Sequence, residues 1–244
     1  MKPQIHIHTD AEAVAQAAAA FIAARIKAAL QQQDRFCLAL SGGSTPKRLH
    51  EILAAAPYRE QIDWSKLHIF WGDERYVPLE DERNNARMAY DTLLNLVPVP
   101  EEQIHIMRTD LPDPRQSAQE YESLLHRYFD GKPHSFDLLL LGMGDDAHTL
   151  SLFPGTEVVQ ETRRWCAAFF LTRQDMFRVT ITRPVADLSA CVLFLTTGKA
   201  KAPALKQVLE GAVDYDRYPS QSILPVKGEL HWIVDQAAAA DLFK

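Results

Sequence analysis

Asp145, Asp146 and His148 place two carboxylates and an imidazole within four consecutive positions, directly after Gly142-Met143-Gly144. An imidazole with an acidic neighbour is a candidate general base: the carboxylate fixes which ring nitrogen carries the proton and steadies the cation formed when the ring takes another. Either aspartate fits that role. As structure alone, the same residues are helix caps and an ordinary surface histidine. Their place in the chain favours chemistry. Phe136 to Leu141 is a continuous apolar run entered through Pro133 and left through glycine, the pattern of a strand buried on both faces. The glycines let the following backbone turn sharply and approach a ligand. In an open parallel sheet, the carboxyl rim of a central strand is where ligands bind.

Three other stretches supply groups suited to an anion. Ser41-Gly42-Gly43-Ser44-Thr45-Pro46 follows the apolar run Phe36 to Leu40. Thr45 reads as an N-cap and Pro46 as the first helical residue, so a helix through Leu53 offers its free N–H groups and two serine hydroxyls at a strand end. The pattern is neither the dinucleotide-binding glycine fingerprint nor a P-loop. Gly72-Asp73-Glu74-Arg75-Tyr76-Val77-Pro78 follows Leu67 to Trp71. Arg75 offers a planar set of donors for phosphate or hydroxyl oxygens, with Asp73 placed to orient it or to bind sugar hydroxyls. An Asp–Arg pair that only braces the loop is the plain alternative. Thr197-Gly198-Lys199-Ala200-Lys201-Ala202 follows Cys191 to Thr196. Lysines in the first turn of the helix that runs on through Leu209 oppose its dipole unless an anion compensates.

The elements that must hold these groups alternate. A strand over Pro3 to His8 precedes an alanine-rich helix opened by Asp10 and running to Leu30. After the strands at 36–40 and 67–71, Asn84-Asn85 opens a helix through Leu96, and Ile104 to Met107 is a short strand. Pro112 and Pro114 introduce a helix through Phe129. Beyond the acidic loop a short helix is expected over Thr149 to Phe153, then strands over Trp165 to Leu171, Arg178 to Thr182 and Cys191 to Thr196. Gly211 to Lys227 is the best candidate for a mobile or irregular loop, and Leu230 to Val234 is a last strand before a helix capped by Asp235. The alternation predicts an α/β fold: one domain over 1–244, an open, mostly parallel sheet with helices on both faces, Rossmann-like.

With 244 residues, 47% hydrophobic and 24% charged, the chain is long enough to bury a full core. A net charge of -6 with no basic block argues against a nucleic-acid surface. Cys37, Cys166 and Cys191 lie singly in apolar runs, without metal-ligand spacing, and read as reduced core residues of a cytoplasmic protein. His6 and His8 share a strand face, but no third ligand stands nearby, so no metal is expected. Met1 to Asp10 lacks the apolar core of a signal peptide, and no later run has membrane-spanning length.

In order, the segments at 41–46, 72–78 and 142–155, Arg178-Val179-Thr180 and Gly198-Lys199-Ala200-Lys201-Ala202 resemble the 6-phosphogluconolactonases. That family is similar in fold to the glucosamine-6-phosphate deaminases. His148-Thr149-Leu150-Ser151-Leu152-Phe153-Pro154 and Asp73-Glu74-Arg75 follow the lactonase pattern rather than the deaminase one. Two positions depart from it: Asp146-Ala147-His148 where the family has Asp-Gly-His, and Asn84-Asn85 where it has Ser-Asn. An alanine at 147 is strained if its φ is positive.

The resemblance implies hydrolysis of 6-phospho-D-glucono-1,5-lactone to 6-phosphogluconate, the second step of the oxidative pentose phosphate pathway, without metal or cofactor. His148 would activate water, with Asp146 or Asp145 orienting it. Gly42-Gly43 backbone N–H groups or Arg75 would meet the oxyanion. Arg178 and Lys201, with Ser44 and the helix N-terminus of the loop that begins at Ser41, would hold the phosphate. Which cation faces the phosphate and which the carbonyl stays open. The implied partner is a small sugar-phosphate lactone, with no nucleic acid and no membrane, and the chain is expected to be a monomer or weak homodimer. Two rivals remain: a deaminase-isomerase with Asp73 as the proton-abstracting base, and a noncatalytic sugar-phosphate sensor, for whose added DNA-binding segment the first strand leaves no room.

Overall fold

A computed structural model describes residues 2–243; Met1 and Lys244, the two ends of the expected domain, lie outside the described residues. Strand β1 (Gln4–His8) leads into helix α1 (Ala11–Ala29), which Asp10 caps by accepting a hydrogen bond from the Ala13 N–H at 2.9 Å. Then follow β2 (Phe36–Leu40), α2 (Ser44–Leu53), the single turn α3 (Tyr58–Gln61), β3 (Leu67–Trp71), β4 (Asp73–Arg75) and α4 (Asn85–Thr92). The second half holds α5 (Pro114–Phe129), β5 (Leu138–Gly142), β6 (Cys166–Leu171), β7 (Met176–Ile181), α6 (Arg183–Ala186), β8 (Cys191–Thr196), α7 (Ala202–Glu210) and β9 (Glu229–Asp235).

Six strands form one sheet in the order β1-β9-β8-β5-β2-β3, every pair parallel. The period-two alternation of each strand splits its apolar residues between the faces. Leu38, Leu40, Leu138, Leu140, Leu193 and Leu195 pack with α1, α2 and α4 on one side. Cys37, Ala39, Leu139, Leu141, Val192 and Phe194 pack with α5 and α7 on the other. Both faces are covered, which is why the central strands are apolar throughout.

The chain winds outward from β2 to β3, and from β5 the other way through β8 to β9. The carboxyl ends of β2 and β5 therefore flank a point where the winding reverses, and the loops after them diverge into a crevice. A second sheet, β4-β7-β6, is antiparallel. Gly72 alone separates β3 from β4, so this small sheet rises directly from the rim of the large one and pairs Arg75 with Arg178 in register.

Several expected elements differ. Gly43, at φ 111, rather than Thr45 precedes the first residue of α2, and the Thr45 hydroxyl instead meets the Thr197 hydroxyl at 3.0 Å. Ile104 makes a single parallel bridge to Ile69 in place of a strand. Residues 149–153 form no helix, because Leu150 sits at φ 54 and Thr149 bridges to Leu152. Leu94–Leu96 is a separate 3-10 turn beyond α4. After Asp235 the chain runs in turns rather than a helix; that carboxylate accepts from the Ala238 N–H at 2.7 Å and also from the Gly198 N–H at 3.0 Å. The stretch 211–227 is irregular, as expected, with a buried 3-10 turn at Pro219–Ser222. His6 faces its neighbour His231, ring nitrogen to ring nitrogen, at 3.3 Å.

Candidate active site

The loop after β5 is closed by its own backbone: the Gly144 N–H donates to the His148 carbonyl at 2.8 Å and the Ala147 N–H to the Gly144 carbonyl at 3.1 Å. This tight turn puts Ala147 at φ 63, the strain expected of an alanine in a glycine's place. It also folds Asp146 back onto His148. Asp146 Oδ1 accepts from the His148 backbone N–H at 3.0 Å and lies 2.5 Å from the ring Nδ1. Asp145 is exposed. Of the two aspartates, then, Asp146 is the one on the imidazole.

An ionised carboxylate only accepts hydrogen bonds, so Nδ1 carries the proton and the lone pair sits on Nε2. Burial raises the proton affinity of Asp146, but hydrogen bonds and charge from His148, joined by Arg173, outweigh it and hold the carboxyl well below the usual range. Gly144 is required by space: a Cβ there would stand 2.1 Å from His148 Nδ1 and 2.4 Å from Asp146 Oδ1.

His148 opens onto a cleft of about 270 Å³ at the reversal point. Ser41, Gly42 and Gly43 line it from the end of β2, Asp73 and Arg75 from β4, Arg178 from β7, and Lys201 from the turn before α7. The structure thus brings together seven of the ten predicted site residues with His148. Asp146 stands behind the imidazole, and Ser44 lies exposed in the first turn of α2, away from the cleft wall.

The charges are not paired as the sequence suggests. Asp73 does not orient Arg75. Its Oδ2 accepts from Arg178 Nη2 at 3.1 Å and from the Ser151 hydroxyl at 2.5 Å, while Ser151 accepts from Arg178 Nε at 2.9 Å. Both ions of this pair are buried, with side chains 4% and 8% exposed. Arg75 donates from Nη1 to the Arg83 carbonyl at 2.8 Å, and its Nε is buried without a partner. Glu74, next along β4, accepts from the N–H groups of Arg75, Asn85 and Ala86. Burial pushes its carboxyl up to about 7 against those hydrogen bonds. This anchor sets Asn85 against Gly42, where a Cβ would lie 2.0 Å from Asn85 Oδ1.

Sequence reasoning missed Asn85, Ser151, Phe153 and Arg173. Asn85 and Ser151 lie within or beside the motifs and read as helix opener and helix residue. Phe153 packs its ring 4.1 Å from the imidazole. Arg173 sits on a hairpin turn that carried no signal at all.

The sequence profile described as glucosamine-6-phosphate isomerases/6-phosphogluconolactonase matches residues 9–232. The chain belongs to this family. A 6-phosphogluconolactonase from Nostoc sp. is 41% identical over 245 residues, 99% of each chain, and one from Mycobacterium leprae is 35% identical over 99% of each. Among solved structures, the 6-phosphogluconolactonase of Trypanosoma brucei is 26% identical with a TM-score of 0.86, covering 99% of both chains. A monomeric glucosamine-6-phosphate deaminase, 22% identical with a TM-score of 0.83, shares the fold alone. The mostly parallel α/β sheet is thus the architecture of the family. Among the described residues no helix is long and apolar enough to cross a membrane.

Proposed function

We propose that the chain hydrolyses 6-phospho-D-glucono-1,5-lactone to 6-phosphogluconate, as a single cytoplasmic domain, with His148 as the general base. The observation that carries this reading is the 2.5 Å contact of His148 Nδ1 with Asp146 in a residue that lines the cleft, which makes Nδ1 the donor to the carboxylate and Nε2 the nitrogen left to exchange a proton. A lactone is an activated ester, so a deprotonated water suffices as nucleophile. Nε2 takes a proton from water, and the hydroxide oxygen bonds to C1. The negative charge that develops on the carbonyl oxygen is met by donors on the Gly42-Gly43 loop. As the C1–O5 bond breaks, the imidazolium returns its proton to O5, leaving the open-chain hydroxy acid.

The phosphate is assigned to Arg75 and Lys201. Arg178 is already compensated by Asp73, whereas no described carboxylate pairs with Arg75, whose buried Nε also lacks a partner. Arg178 forms the floor, with its Nε, Nη1 and Nη2 engaged by Ser151, Gln174 and Asp73. The same ion pair speaks against deaminase chemistry: a carboxylate held by an arginine and a serine hydroxyl is poorly placed to abstract a carbon-bound proton.

The test is lactone hydrolysis, with the lactone generated in situ from glucose 6-phosphate and acid release followed against the spontaneous rate, with and without a chelator. Wild type should exceed the background by orders of magnitude with the chelator present, and His148→Ala should fall to it. A wild-type rate equal to the background, with ammonia released from glucosamine 6-phosphate, would overturn the reading.

A further inference from the structure

The hairpin between β6 and β7 turns through Thr172–Gln174, with Asp175 at φ 50. Arg173 at its tip reaches back 27 residues in sequence and hydrogen-bonds Asp146 Oδ2 through Nη2. The other oxygen of the same carboxylate, Oδ1, is the one on His148. The guanidinium also lies over the Phe153 ring, 4.3 Å from its centroid, and that ring lies 4.1 Å from the imidazole centroid with a tilt of 32°. Two separate contacts, one ionic and one through an aromatic face, join Arg173 to a ring it is not seen to touch.

We propose that Arg173 is a positioning residue for the His148 base, engaging one oxygen of Asp146 so that the other stays on Nδ1, and seating Phe153 against the imidazole. The proposal rests on His148 being that base. A carboxylate hydrogen-bonded at one oxygen only can turn about its terminal torsion; one held at both cannot without breaking an ion pair. The charge matters as well. Arg173 is the cation on Asp146, so its removal leaves that carboxylate's charge beside the ring uncompensated.

The other charges facing His148 are Asp73 and Arg75 from β4, Arg178 from β7, Lys201 before α7, and Asp145 on its own loop. All of them persist in an Arg173 variant. The Arg173 side chain is 47% exposed, so the rival role is direct contact with substrate.

The experiment measures kcat, KM and the pH profile of kcat/KM for the full chain with Arg173→Met and Arg173→Lys, beside His148→Asn. Arg173→Met should lower kcat roughly tenfold with KM changed less than about twofold, and move the acidic limb of kcat/KM upward. Arg173→Lys should restore most of the rate, because an ammonium still pairs with Asp146. A rise in KM with kcat unchanged would overturn the proposal and make Arg173 a substrate ligand. Unchanged kcat and an unmoved limb would overturn it as well. An active His148→Asn would remove the base and this proposal together, whereas an inactive His148→Asn with an unaffected Arg173→Met removes only this proposal.

Discussion

Ser220 donates both its backbone N–H, at 3.0 Å, and its hydroxyl, at 2.7 Å, to the carbonyl oxygen of Ala147. Ala147 is the fully buried residue at φ 63 between Asp146 and His148. A second tie, from the Gly155 N–H to the Asp216 carbonyl at 3.1 Å, secures the far end of the same loop. The irregular 211–227 stretch is therefore a strap that holds a strained turn in place.

Ser220→Ala removes the hydroxyl tie and keeps the N–H, so the fold should persist with about 1 kcal/mol lost and a melting temperature about 2–4 °C lower. Ser222→Ala, whose hydroxyl bonds only to the Pro219 carbonyl within the strap, should lose a similar amount. The two should part in turnover: Ser220→Ala slows hydrolysis a few-fold and Ser222→Ala leaves it unchanged. Equal turnover losses would show that the strap stabilises the fold without aligning the loop.

Gly144→Ala should separate Asp146 from His148 while sparing the rest of the fold. The added methyl would overlap both partners of the contact, at 2.1 and 2.4 Å, and the ring must swing away to admit it. With His148 as the proposed base, loss of its alignment predicts a fall in kcat of about a hundredfold, with circular dichroism unchanged. Near-wild-type turnover would mean that the imidazole works without its aspartate.

Much of this was legible in advance, and the exceptions have physical causes. Phe36–Leu40, Leu67–Trp71 and Cys191–Thr196 were readable as strands to the residue, because strands buried on both faces are largely apolar; only His68, on the edge strand β3, interrupts the apolar run within them. Residues 149–153 were not, because a hydrophobic pattern does not register that Leu150 takes a positive φ once Thr149 bonds to the Gly142 carbonyl. The acidic loop and the cations of the cleft announced themselves by type, but their pairing did not. Which carboxylate faces which arginine depends on the β4–β7 register, a contact 105 residues apart in sequence. Arg173 was invisible for the same reason: only the hairpin's approach to Asp146 gives it a partner.

Arg178→Met should destabilise the fold by about 3–5 kcal/mol, since it strands the buried Asp73 carboxylate with only Ser151 to satisfy it. Asp73→Asn in that background should recover part of the loss, giving a coupling of more than about 1 kcal/mol in a double-mutant cycle by urea denaturation. Additive losses would mean that the two charges are solvated separately.

His50 should govern part of the acid sensitivity. It is fully buried in α2, its Nδ1 lies 3.2 Å from the Thr92 hydroxyl, its Nε2 has no partner, and burial lowers its pKa from 6.5 to about 4. A histidine that resists protonation when folded and accepts it when unfolded favours folding only while both states are neutral. Its contribution is intact above about pH 6.5 and lost as the pH falls towards 4, roughly 3 kcal/mol over the whole window. His50→Leu should remove that part of the slope while leaving Thr92 its own bond to the Met88 carbonyl at 2.6 Å. His6, His68 and His105 are also lowered chiefly by burial, so the slope should shrink rather than vanish. Urea midpoints measured from pH 7.5 to 4.5 decide it: parallel curves for wild type and His50→Leu would show that His50 reaches solvent and is protonated before the protein unfolds.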